Sequence, residues 1–292
     1  MKKKKKYIDY DIDETFGNEI NTNDEKLISK LLETGKVKCV YATKTIRSGS
    51  QVEVEIYPEF TRKQQKQDSS IKKKTNESQK KLNTKNARKK LERLANANFT
   101  DGDIWATLTY DKEHLPQSME EALKNMQNYI RRIQYQRKKK GLPPAKYIYI
   151  TEYDESKEIR YHHHLIIDGL LDMDTIEKVW KCGRRNNTRR ISTDDKGITG
   201  LATYIAKDPK GSKRWCSSLN LKKPIIRKNH QDFKSKQIRQ MTENRNMIRE
   251  LIEKKYQGMI YISESAKYNS HNGRTYFYIR LSMPKERRKK RE

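Results

Sequence analysis

Apolar and polar positions alternate in several short runs of this chain and recur at helical spacing in others. Val37-Lys38-Cys39-Val40-Tyr41 and Gln51-Val52-Glu53-Val54-Glu55-Ile56-Tyr57 alternate, with the turn-like Arg47-Ser48-Gly49-Ser50 between them. That pattern predicts a β-hairpin over 36–57. Ile104 to Tyr110 (IWATLTY) reads as a strand. Met119 to about Lys139 reads as a helix, with Leu123, Met126, Ile130 and Ile133 at core spacing. Gly141-Leu142-Pro143-Pro144 stops it. Lys146–Tyr153 (KYIYITEY) and Tyr161–Asp168 (YHHHLIID) are strands joined by a turn, and Asp172 caps a helix to about Lys181. Asn187–Ser192 reads as a strand, and Thr199–Lys207 as a helix that stops before Asp208-Pro209. A basic helix over roughly 232–256 precedes strands near 258–264 and 274–282. The core order β, α, β-β, α, β, α predicts an α+β fold, a central antiparallel sheet with helices packed on it.

The pattern divides the chain into a flexible arm over 1–24, a hairpin and basic helical segment over 25–98, a denser core over 99–220, and a C-terminal part over 221–292 ending in a basic tail. Residues 61–97 carry thirteen lysines and arginines against Asp68, Glu77 and Glu92, a balance of +10, with a thin apolar seam of Leu82, Leu91 and Leu94. Such a stretch reads either as a solvated helix or as a phosphate-facing arm. Lys72, Lys73, Lys74, Lys89, Lys90 and, beyond this stretch, Arg214 are the candidate DNA contacts.

Composition narrows the partner. The 292 residues hold 66 Lys+Arg against 38 Asp+Glu, a formal charge of +28. A surplus of that size fits a polyanion, and nucleic acid comes first through counterion release at the phosphates. An anionic membrane fits less well, because no basic amphipathic stretch carries Trp or Leu on its other face. No apolar run is long enough to span a bilayer. Met1 and the five lysines after it have no apolar region behind them, so they do not read as a secretory signal. Cys39, Cys182 and Cys216 are odd in number and widely spaced, which suits a reducing cytoplasm and not a disulfide framework. No GxxxxGK[ST] is present, so the chain lacks a phosphate loop and strand separation would need a host helicase, a cruciform or supercoiling.

Candidate chemistry sits in the paired strands of the core. Residues two apart in a strand share a face, so His162 and His164 project side by side and can grip one cation. His163 points the other way with Leu165 and Ile167. A hairpin folded about residue 157 sets Glu152 opposite His162 on the same face. Two imidazoles and one carboxylate suit Mn²⁺ or Mg²⁺ with positions left for water or phosphate. Asp154 and Glu155 are nearby alternatives for the acidic ligand. On the helix that follows, Tyr204 and Lys207 are three apart and share a face. A tyrosine with pKa of about 10 is a poor nucleophile at neutral pH. A cation beside it and a polarised phosphate ahead of it both ease attack.

The blocks FTDGDIWATLTY, RYHHHLIID and GLATYIAKDP, in that order, resemble the HUH endonucleases, and more narrowly the rolling-circle replication initiators of phages, plasmids and integrative elements. The resemblance covers roughly 99–220, and KRWCSSLNLKKP is similar to the segment that follows the family's nucleophile. It implies an HUH nuclease fold, with His162, His164 and Glu152 as metal ligands, Tyr204 as nucleophile and Lys207 as its helper. The chain departs from the pattern at His163, where the family usually has a hydrophobe. It also lacks a partner tyrosine one turn from Tyr204, which implies the single-tyrosine subclass.

The expected activity is therefore nicking of one DNA strand at an origin through a 5′-phosphotyrosine link that can be reversed to rejoin the strand. Single-stranded or hairpin origin DNA, a host helicase and a host polymerase are the expected partners, in a bacterial cytoplasm. Trp105, Trp180 and Trp215 are candidates either for stacking on unpaired bases or for core packing. A transposase or conjugative relaxase would use the same chemistry, and a non-catalytic nucleic-acid-binding protein is the alternative from another class.

Overall fold

A computed structural model describes residues 39–60, 77–184, 186–205, 215–270 and 272–284, apart from the side chains of 77–83 and 203–205. In chain order the elements are β1 (Cys39–Ser48), β2 (Gln51–Phe60), α1 (Glu77–Asn98), β3 (Ile104–Thr109), α2 (Met119–Lys139), β4 (Tyr147–Asp154), β5 (Ile159–Ile167), α3 (Met173–Lys178), β6 (Asn187–Arg190), α4 (Thr199–Ile205), β7 (Cys216–Ser217), β8 (Ile225–Asn229), α5 (Ser235–Glu243), α6 (Asn246–Lys255), β9 (Ile260–Asn269) and β10 (Arg274–Ser282). The fold is α+β as expected, but it carries two antiparallel five-stranded sheets instead of one. The chain divides accordingly into a central unit, 88–224, and a split unit made of 1–87 and 225–292. The expected arm 1–24 lies outside the described residues.

The central unit holds the sheet β6-β3-β5-β4-β7, with β5 in the middle. Alternation along its strands assigns two apolar faces. One face presents Ile104, Ala106, Leu108, Leu165 and Ile167 to Met126, Tyr129, Ile130 and Ile133 of α2 and to Ile176 of α3. The other presents Trp105, Ile148, Ile150 and Ile166 to Leu91 and Ala95 of α1 and to Ile198 and Ala202 beside and within α4. Each fully buried isoleucine contributes about 1.5–3 kcal/mol, so both helical layers are firmly held.

Local signals fix the helix ends. Ser118 caps α2 by accepting from the Glu121 amide, and Gly141 takes a positive φ just past its C-terminus. Asp172 caps α3 through the Thr175 amide. Arg137, 1 % exposed, pairs with Asp168 just after β5 and donates to the Pro143 carbonyl at 2.7 Å. That pair ties the C-terminal end of α2 to the sheet.

The split unit holds the sheet β8-β1-β2-β10-β9, so the N-terminal hairpin and the C-terminal strands share one sheet. Its apolar face, Val52, Val54, Ile56, Phe277, Ile279 and Leu281, is covered by Ile238 and Met241 of α5 and Ile248 and Ile252 of α6. The single basic helix expected over 232–256 is in fact these two. Asn244 takes an extended conformation, φ −136 and ψ 114, and its side chain accepts the Asn246 amide, restarting the chain as a new helix. Strands β7 and β8 go beyond the sequence pattern: β7 is two residues long, and β8 (IIRKN) is exposed throughout with no alternation. No helix among the described residues is long and apolar enough to cross a membrane.

Candidate metal centre and active site

Strands β4 and β5 pair in the register that sets Glu152 directly across from His162. The hairpin turns through Glu155–Lys157, with Glu158 in the left-handed region at φ 55 and its amide bonded to the Glu155 carbonyl. Glu152 Oε2 lies 3.3 Å from Nε2 of both His162 and His164, and the two Nε2 atoms are 3.1 Å apart. Glu152, His162 and His164 thus form a metal-competent group, their ligand atoms all within 4.8 Å of one another. Asp154 turns instead to the Ser156 amide and hydroxyl, which removes it from that group.

The donor set fits a divalent ion. Octahedral ligands at about 2.1 Å from a metal stand about 3 Å from each other, close to the three separations here. The imidazoles are also held for the task. His162 Nδ1 donates to the Arg160 carbonyl at 2.9 Å, so its Nε2 keeps a lone pair facing the group. His164 Nδ1 is hydrogen bonded to Thr107 Oγ1 at 3.2 Å, and the Trp105 ring stacks on His164 with centroids 5.3 Å apart. Hydrogen bonds of this kind to the remote ring nitrogen orient metal-binding imidazoles. Thr107 and Trp105 reach His164 because β3 pairs with β5, Thr107 opposite His164. Nothing in the sequence flagged Thr107; the only signal was its alternation position on β3.

His163 occupies the opposite face and is fully buried among aromatic rings. Its Nδ1 meets Thr151 Oγ1 at 2.9 Å and its Nε2 meets the Tyr110 hydroxyl at 2.7 Å. Trp180 packs edge-on against it at 5.5 Å. Burial, then the neighbouring His162 and His164, pushes its pKa down to about 3. A neutral imidazole with both nitrogens satisfied therefore fills a position where the resembling family usually has a hydrophobe.

Tyr204 lies on α4, and two residues before it on that helix Ala202 is buried in the cluster that includes Trp105 and Ile166, on the metal-facing side of the sheet. Its side chain, like Lys207, Arg214, Lys72, Lys73 and Lys74, lies outside the described residues. Lys89 and Lys90 are on α1, half-buried and exposed respectively. Of the two readings of the tryptophans, core packing holds for Trp105 and Trp180, which are 4 % and 3 % exposed, and Trp180 donates to the Thr109 carbonyl at 2.7 Å. Both are core residues, as tryptophan packing favours. Trp215 is half-buried against the α1 side of the sheet.

Residues 103–209 match the family of replication-associated proteins. The matched span runs from just before β3 to beyond α4 and contains the whole Glu-His-His group. The match supports the resemblance to a rolling-circle replication protein, and with it a role in DNA replication. No curated protein and no solved structure matches the chain.

Proposed function

We propose that this protein initiates rolling-circle DNA replication by nicking one strand at an origin through a single tyrosine. The observation that carries this reading is the convergence of Glu152, His162 and His164 on one sheet face, inside the segment that matches a replication-associated family. These three residues would hold Mn²⁺ or Mg²⁺. When bound, such an ion polarises the scissile phosphate and stabilises the charge that develops on it.

Tyr204 is the nucleophile in this reading. Its oxygen attacks the phosphorus and gives up its proton to solvent, the P–O3′ bond breaks, and the departing O3′ takes up a proton from water. The products are a 5′-phosphotyrosine link and a free 3′-OH that a polymerase can extend. Lys207 lowers the cost of the phenolate by its charge. The phosphodiester is conserved in the protein link, so a later 3′-OH can attack the phosphotyrosine and rejoin the strand. Cationic side chains, Lys72, Lys73, Lys74, Lys89, Lys90 and Arg214 among them, hold the DNA backbone, and a host helicase and polymerase complete the cycle.

The test is incubation of the purified protein with the replicon DNA that carries its gene, with Mn²⁺ or with chelator. Site-specific nicking with metal and none with chelator supports the reading. Equal nicking by the His162→Ala/His164→Ala double variant would remove the metal centre from it.

A further inference from the structure

The split unit contains a cavity of about 880 Å³ that the nicking chemistry does not use. It lies at the end of the helix-covered sheet face, where the core residues Phe233 and Ile238 meet the first described residues of β1 and the start of β10. A pocket of this size accommodates a small organic ligand.

The lining has two characters. Tyr41 and Phe233 supply aromatic walls, and Tyr41 is fixed by hydrogen bonds from its hydroxyl to the Thr275 carbonyl, 3.1 Å, and from the Thr275 amide, 3.2 Å. Lys234, Arg239 and Arg274 supply cationic groups. Among the described lining residues the carboxylate is Glu243, and Arg239 already holds it at 2.8 Å. The amino end of α5, a nine-residue helix, opens on the same cavity through Lys234 and Ser235 and adds its positive dipole end.

We propose that this cavity binds one nucleotide, its phosphate on Arg274, Lys234 and the α5 amino end and its base against Tyr41 and Phe233. Cations on one side and aromatic faces on the other match the two halves of a nucleotide. The phosphate belongs either to a free nucleotide or to a DNA strand. The site shares no residue with the Glu-His-His group, so it holds or fails independently of the nicking reading.

Titration of the full chain with thymidine 5′-monophosphate, followed by calorimetry, tests this. One molecule per chain is expected, with Arg274→Gln weakening binding about tenfold, the loss typical of one charge-assisted contact. Lys234→Gln is expected to weaken it about threefold, and because this side chain is exposed the variant decides the matter even if Arg274→Gln does not fold. Lys236→Gln, exposed on α5 outside the lining, should change nothing. Equal losses for Lys236→Gln and Arg274→Gln would show general attraction to a basic chain and overturn the site. Equal binding of unphosphorylated thymidine, or no saturable binding, would overturn it too. Displacement of the monophosphate by an oligothymidylate without terminal phosphates assigns the site to a strand, and displacement only by inorganic phosphate and mononucleotides assigns it to the free nucleotide.

Discussion

Glu152 and His162 face each other across the β4–β5 pair, with Oε2 and Nε2 3.3 Å apart. A carboxylate there has two imidazole neighbours, and a divalent ion bound at this point would take all three as ligands. Mn²⁺ is therefore expected to raise the melting temperature of the wild-type protein. At a hundredfold excess over Kd the stabilisation is about 2.7 kcal/mol. Glu152→Ala should lose most of that shift. An unchanged shift in the variant, read by thermal denaturation with and without chelator, would place the metal elsewhere.

Thr107 acts at one remove. Its hydroxyl holds the Nδ1 side of His164 at 3.2 Å. Thr107→Val keeps the shape and removes the hydrogen bond, and is expected to weaken metal binding by about 10–100-fold while leaving the melting temperature in chelator nearly unchanged. Competition between the protein and a fluorescent chelator for Mn²⁺ measures the difference.

His163 gives the pH dependence. Its folded-state pKa is held down to about 3 by burial, whereas the unfolded chain takes the proton near 6.5. Between those values the unfolded state binds more protons, so stability falls as pH drops through that window, by up to about 1.4 kcal/mol per unit from this site. His163→Leu should flatten that dependence in urea denaturation at a series of pH values. It should also cost about 1–3 kcal/mol at neutral pH, because Thr151 and Tyr110 each lose a hydrogen bond.

Arg137 anchors α2 through Asp168 and the Pro143 carbonyl. Arg137→Ala leaves Asp168 without its ion-pair partner, although the carboxylate keeps the Lys146 amide at 2.6 Å. The expected loss is about 3 kcal/mol in chemical denaturation.

These elements differ in how readable they were. Strand alternation alone put His162 and His164 on one face and His163 on the other, and hairpin symmetry about residue 157 matched Glu152 to His162. Those inferences rest on a period of two and a short turn, which are local. Thr107 and Trp105 depend on β3 pairing with β5, a contact between residues 57 apart for Thr107 and His164, and no local pattern encodes it. The second sheet was hidden for the same reason: β2 and β10 meet from opposite ends of the chain, Ile56 opposite Phe277. The break between α5 and α6 was legible in principle, since Asn244 competes with helix through its own side chain, but the basic periodicity ran across it.

In the proposed reaction Tyr204 carries the DNA. Incubation of the protein with a labelled single strand from its own replicon and Mn²⁺, followed by denaturing electrophoresis and mass spectrometry of tryptic peptides, tests it most directly. The expected result is a covalent adduct on the peptide that contains Tyr204, abolished in Tyr204→Phe. An adduct that persists in Tyr204→Phe, or that maps to another tyrosine, would contradict the assignment.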